Sequence, residues 1–267
     1  MDKEKEMKRL IIVTIGVMLM STQVLAFDLM GPTTSRLKDS GKTSVGAEYF
    51  WGSMDIDADG IPELGLISDT IKDVDFDKIS ANFALGMGRG SEIFLRLGVA
   101  EAEPDKGDNR DNVAGYIGSS DECFFIGGGA KWTLYEEANF GWGLLTQVSW
   151  ADFDFDQQIY SIGGYNVNFS TDVEIVEVQI STGPTLKLTK DLTFFGGPFL
   201  HFLNGDMELK GSIDGLSGSI STDLDQESLL GGYIGAELGL GQNAIISFEV
   251  QGTSGNYGMG GQLVWKF

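Results

Sequence analysis

Several residue types that hold small exported proteins together are nearly missing from this sequence. One cysteine, Cys123, in 267 residues excludes a disulfide framework and a cysteine-rich zinc centre. One histidine, His201, excludes paired-histidine metal motifs. Basic residues are scarce: 18 Lys and Arg stand against 39 Asp and Glu, a net charge of −21. That field repels phosphate, so no nucleic-acid partner is expected. Beyond residue 26, no apolar run approaches the ~20 residues that a membrane-spanning helix needs.

What is abundant is glycine, 38 residues, together with Phe, Tyr and Trp at 11%. The N-terminus has the layout of a secretory signal peptide. Lys3, Lys5, Lys8 and Arg9 precede the apolar stretch Leu10 to Met20, and Val24-Leu25-Ala26 offers small residues for a cut after Ala26. The expected organisation is therefore a signal peptide over 1–26, an extended periplasmic lead-in over 27–41, and one domain over 42–267.

That domain reads as strands of period two. At the C-terminus, Tyr257, Met259, Leu263, Trp265 and Phe267 share one register, and Asn256, Gly258, Gly260, Gln262 and Lys266 share the other. The same alternation recurs over 43–54, 78–87, 92–100, 122–134, 140–151, 173–186, 227–240 and 244–252. Over 192–203, Phe194, Phe195, Phe199, Leu200 and Phe202 occupy both registers, so no face is assigned. The bulky apolar residues oppose small or polar ones. A soluble barrel buries its bulky face; a barrel with lipid outside and a polar lumen inverts this. All five tryptophans fall on the apolar register, several near strand ends, where an aromatic girdle meets headgroups.

Short connections (88–90, 136–139, 189–191, 241–243) alternate with long polar stretches (about 55–75, 101–120, 152–171, 204–224). The fold expected is an all-β, antiparallel, up-and-down transmembrane β-barrel of about ten strands, with short periplasmic turns and long extracellular loops.

The exported start, the glycine-rich alternating strands and the C-terminal aromatic resemble the OmpA-like or opacity-like group of bacterial outer-membrane β-barrels. The likeness covers residues 42–267. In that group the last strand carries an assembly signal, matched here by Leu263, Trp265 and Phe267; the glycine usual five residues before the end is Gln262. The resemblance implies a location in the cell outer membrane, insertion by the barrel-assembly machinery, and lipid and lipopolysaccharide as partners. It implies no substrate, because the fold hosts channels, adhesins and enzymes.

Candidate sites are few. Asp55, Asp57 and Asp59, followed by Gly60, resemble the first half of a calcium loop, but position twelve is Leu66 rather than Glu, so an acidic surface loop is the competing reading. The strand registers place Glu48, Lys78, Glu92, Arg96, Lys131, Glu177, Glu237 and Glu249 in the lumen. They either form a selective constriction or a paired plug in a narrow barrel. If the lumen holds water, loss of Arg96 should be mild, because its partner stays hydrated. His201 with Asp206 and Ser212 or Ser217 is a poor catalytic set, since nothing in the spacing joins them. Cys123 stands on the lumen register with no basic neighbour to activate it. No catalytic residue and no cofactor is expected. Acidic residues, among them Asp152, Asp154, Asp156, Asp206, Asp223 and Asp225, gather toward the long connections. The reading is a non-enzymatic barrel of structural or surface-interaction type, a monomer by default. A narrow porin-like diffusion channel is the alternative, and an outer-membrane hydrolase a more distant one.

Overall fold

In the computed structural model, the described residues are 28–58, 69–104, 120–162, 165–213, 216–254 and 256–267. Ten strands form a closed antiparallel ring: β1 (Thr43–Ala58), β2 (Asp69–Gly88), β3 (Ser91–Pro104), β4 (Cys123–Glu136), β5 (Phe140–Ile162), β6 (Tyr165–Lys187), β7 (Leu192–Ile213), β8 (Leu216–Leu240), β9 (Ala244–Gly252) and β10 (Tyr257–Lys266). Each strand pairs with its sequence neighbours, and β1 closes on β10 from Ser44↔Lys266 to Ser53↔Tyr257. Closure leaves no free edge along that seam, which is what a bilayer demands of a sheet.

The turns at one end are short. Between β2 and β3, Arg89 and Gly90 both take positive φ, 55° and 72°, the handedness that a two-residue hairpin needs to match strand twist. Two stretches expected as loops are strand where described: 152–162 and 165–171 lie on β5 and β6, and 204–213 and 216–224 on β7 and β8. Their polar composition gives the outer end of the wall a hydrophilic exterior rather than breaking the ladder.

The alternation holds, but its chemistry reverses along the strand. On β6, Glu177, Gln179 and Ser181 point inward, while Val176 and Ile180 point out. Nearer the outer end the inward residues become Val173 and Ile175, and the outward ones Asp172 and Glu174. β5 does the same: Gln147 and Ser149 face in, then Ala151, Phe153 and Phe155. The barrel is thus membrane-like toward its short turns and soluble-like toward its long hairpins. Trp132, Trp142 and Trp265 stand near the short-turn edge of the apolar belt, and Trp51 and Trp150 near the other. Eight residues separate Trp142 from Trp150. At ~3.3 Å per residue and a typical tilt, that spans about 20 Å, close to the apolar band of outer-membrane barrels.

Residues 192–203, ambiguous in sequence, follow simple alternation. Phe194, Leu200 and Phe202 face outward; Phe195 and Phe199 are buried in the interior. The inward rings fit because each faces a glycine on β8, through the pairs Phe195↔Gly235 and Phe199↔Gly231.

Candidate functional site

The lumen is the natural place to look. All eight charged residues expected there point inward and are buried: Glu48, Lys78, Glu92, Arg96, Lys131, Glu177, Glu237 and Glu249. They do not line a water-filled passage. Residues 28–38, expected as a periplasmic lead-in, run up inside the barrel from the short-turn end. Gly41 N–H donates to Gly86 O and Gly86 N–H to Lys42 O where the chain enters, and Asp28 reaches Lys78, which also pairs with Glu177, near mid-barrel. Leu29, Met30 and Leu37 are buried in this way, and the physical reason is plain. A segment with apolar side chains beside complementary charges is better sealed in the lumen than left in water.

The wall charges divide into acceptors and donors for this segment. Glu249 accepts the main-chain N–H groups of Met30 (3.0 Å) and Gly31 (2.7 Å). Glu92 accepts those of Arg36 (2.7 Å) and Leu37 (3.0 Å), and the Ser35 hydroxyl (3.0 Å). Lys131 Nζ donates to Met30 O at 2.8 Å, and Arg96 donates to Leu29 O. Gln251 and Gln147 donate to Asp28 O. Arg36 reaches across to Glu237 (Nε to Oε1, 2.6 Å) and to Gln262 (2.6 Å). Glu48 is served by the wall itself: Arg96 Nε at 2.7 Å, Asn82, Ser80 and Gln262.

Two wall glycines make the room. A Cβ on Gly143 would lie 2.5 Å from the carbonyl carbon and oxygen of Thr33, and one on Gly86 would lie 2.3 Å from Asp39 O. One gap beside the segment, bounded by Met30, Arg36, Glu92, Arg96 and Lys131, holds about 20 Å³. That is on the order of one water. Below it, a vestibule of about 300 Å³ opens between Arg36, Lys38, Glu136, Lys187 and Asp191 at the short-turn end.

Above Asp28 the lumen is closed a second time, by apolar packing. Phe76, Phe125, Phe153, Phe199, Val173 and Met207 are all essentially inaccessible. Lys78 sits under the Phe125 ring, 5.5 Å from its centroid, and Arg96 is 4.8 Å from that of Phe94. A much larger concavity, about 880 Å³, lies between Tyr49, Phe194, Phe248 and Met259 on the outer wall. It belongs to the lipid-facing belt and gathers no chemistry.

His201 is inside, wholly buried, with Nε2 3.7 Å from Glu177 Oε2. Asp206 is on the outward face of the same strand, and Ser212 pairs with Ser217 farther along the β7–β8 hairpin. The structure therefore does not assemble these residues. Cys123 is buried on the inner face. Leu263, Trp265 and Phe267 stand exposed on the outer face of β10 and just past it. Asp59 lies outside the described residues, as do the side chains of Asp55 and Asp57, so the calcium reading falls outside what is described.

The outer wall carries an acidic collar, partly on stretches expected as loops. Asp77 pairs across with Glu101, Asp75 with Glu103, Asp152 with Glu174, and Glu174 with Asp206. Like charges directly opposite on a sheet cost stability. Lys210 offsets part of this by pairing with Asp172 and Glu208, and Trp150 Nε1 donates to Glu174 at 2.7 Å. Partial burial, with Asp154, Glu174 and Asp172 beside it, raises the pKa of Asp152 above the ordinary 3.8.

Sequence reasoning found the charged ring but missed the segment that fills it and the apolar seal above. A signal for each was present. Leu29, Met30 and Leu37 are too apolar for a solvated lead-in, and β6 changes apolar phase between Ile175 and Val176 with no residue inserted.

No family model matches the sequence, and no curated protein matches it. Solved structures do share the architecture. The outer-membrane protease OmpT of Escherichia coli superposes with a TM-score of 0.52 at 12% identity, over 92% of this chain and 100% of that one. The COG4313 outer-membrane channel of Pseudomonas putida F1 gives 0.48 at 12%, over 90% and 100%. Ail, the attachment invasion locus protein of Yersinia pestis, gives 0.30 at 12%, over 86% and 100%. At 12% identity the likeness to the protease is one of fold alone. An exterior belt that includes Ile79, Phe124, Leu230, Ile234 and Phe248, each more than half exposed, is satisfied only by lipid. By its closed antiparallel fold and by that belt, the chain is an outer-membrane β-barrel.

Proposed function

We propose that the protein is a non-enzymatic outer-membrane barrel of structural or surface-interaction type, with a lumen closed to solutes. The observation that carries this is the interior: a tethered segment pairs its main-chain groups, Asp28 and Arg36 with the wall charges, and the gap between Met30, Arg36, Glu92, Arg96 and Lys131 holds only about 20 Å³. A diffusion channel needs a continuous polar path, and the apolar plug around Phe76, Phe125 and Phe153 interrupts one at the outer end. Hydrolysis needs a nucleophile, a base and an approach for substrate, and His201 is sealed beneath that plug. On this reading its surroundings are membrane lipid and lipopolysaccharide along the belt and collar. The barrel-assembly machinery acts on it during insertion.

The test is planar-bilayer recording of the refolded full chain. The reading expects no stable conductance step at neutral pH. Ohmic single-channel currents from the wild-type chain would replace it with the diffusion-channel reading.

A further inference from the structure

We infer that the barrel interior is a binding site for an extended peptide, recognised chiefly through its main chain, and that residues 28–38 are its tethered occupant. This rests on the closed-barrel reading above.

The contacts point to a receptor and its ligand rather than to core packing. Eight main-chain groups of the segment are held by wall side chains. Five N–H groups are: those of Met30, Gly31, Arg36 and Leu37 go to Glu249 and Glu92, and that of Ser35 to Thr133. Three carbonyls, those of Asp28, Leu29 and Met30, take bonds from Gln251, Arg96 and Lys131. Main-chain groups in a dry cavity must find such partners, and here wall side chains supply them.

Charged side chains are read near the two ends. Asp28 meets Lys78 at 3.1 Å, and Arg36 meets Glu237 and Gln262. Between them Gly31 turns the chain at φ +62°, where a Cβ would lie 3.0 Å from Arg36 Nη2 and 3.2 Å from Lys131 Nζ. The ligand class follows: an extended segment with an acid, then a glycine three residues on, then an arginine five residues after that.

The wall does not need the segment for its own ladder. Residues 28–38 belong to none of the strands, and β1 closes on β10 without them. The occupant joins the wall through exposed residues 38–42 at the vestibule, the side from which a second peptide of this pattern would enter. Without its occupant the ring keeps five carboxylates (Glu48, Glu92, Glu177, Glu237, Glu249) against three cations (Lys78, Arg96, Lys131). The emptied site therefore favours a ligand that brings hydrogen-bond donors and a guanidinium.

The experiment inserts a specific protease site between Ser40 and Gly41 of the full chain. The chain is refolded into vesicles and then cut. A fluorescent peptide with the sequence of residues 28–38 is added during mild urea pulses that leave the barrel band intact in unboiled gels. The expected result is exchange, saturating at one peptide per barrel. A scrambled peptide of the same composition should bind at least tenfold more weakly. Glu249→Ala in the cut barrel should weaken binding of the true peptide at least tenfold. Retention of the cut segment against excess peptide at every urea concentration short of unfolding would make it fixed core and overturn the proposal. So would collapse of the barrel when the segment leaves, or equal binding of the scrambled peptide. Conductance of the uncut wild type is recorded in parallel. A current there defeats the closed-barrel reading, whereas failed exchange in a non-conducting barrel defeats only the peptide site.

Discussion

The carboxylate of Glu249 accepts the main-chain N–H of Gly31 at 2.7 Å, joining residues 218 positions apart inside the barrel. Its other oxygen accepts Met30 N–H, so one wall side chain satisfies two consecutive peptide groups of the inserted segment. Glu249→Ala leaves both donors buried without that acceptor, at about 1–3 kcal/mol each. Glu249→Gln keeps one carbonyl oxygen and should lose about half as much. Urea unfolding in lipid vesicles measures both. Equal stability of the alanine variant and the wild type would mean that the segment is not seated as described.

Arg96 and Leu97 are neighbours on opposite faces of β3. Leu97→Arg puts a charge into the lipid-facing wall near mid-strand, at about 2–4 kcal/mol. A hydrated lumen would make loss of Arg96 mild, but Arg96 is enclosed by its partners. Arg96 is 3% exposed and holds Glu48, Gln147 and Leu29 O at once. Removing one member of such a buried set costs about 3–5 kcal/mol. Arg96→Leu should therefore be at least as damaging as Leu97→Arg under the same urea titration. A loss well under 1 kcal/mol would place water around Glu48.

Gly143 is where the wall lets the segment pass. Gly143→Ala drives a methyl into the Thr33 carbonyl, and overpacking of that kind costs about 1–3 kcal/mol. The effect should fall on the segment and spare the strand ladder. Proteolysis from the short-turn side should then release peptides from residues 28–38 while the unboiled barrel band persists. Unchanged protection would mean that the wall yields instead.

The acidic collar sets a pH response at the outer end. The pKa of Asp152 is raised by partial burial and then by Asp154, Glu174 and Asp172, so the folded chain holds this proton better than the unfolded chain does. Its repulsion is present at neutral pH and is relieved as pH falls toward and through the ordinary value of 3.8. Protection of the β5–β6 hairpin in hydrogen exchange, corrected for intrinsic rates, should rise as pH falls from 7 toward 3.8. Asp152→Asn should raise it at pH 7 and flatten the dependence. Loss of the hairpin's protection relative to the rest of the barrel over that range, or no effect of the substitution, would contradict this account of the collar.

Phe267 stands at the outer surface beyond β10, its main-chain N–H donating to Thr43 O across the seam. Its deletion removes one seam bond and an exposed ring, and no buried packing. Refolding into detergent should survive with a shift of under about 1.5 kcal/mol, the worth of one such bond. Outer-membrane yield in cells should drop severalfold if this residue is read during assembly. Equal loss in both settings would make the role structural.

Strand number, closure and the inward ring of charges were legible in sequence because they depend on a local property, the two-residue alternation of side chains. Glu48, Arg96 and Glu249 could be assigned inward from their immediate neighbours alone. Phe195 and Phe199 could not, because what admits an aromatic ring to the interior is a glycine on the facing strand, and that pairing is tertiary. The reversal of polarity on β5 and β6 was written in the sequence, at Ile175 beside Val176, but its polar outward residues imitate a loop. Residues 28–38 have no periodicity, since they form no ladder. Their place is fixed by main-chain groups and two charges meeting complementary groups from β2, β3, β4, β8, β9 and β10, through Lys78, Glu92, Lys131, Glu237, Glu249 and Gln262. Local alternation thus determined the wall. What fills it was decided only when the closed ring brought distant side chains within hydrogen-bonding distance of one another.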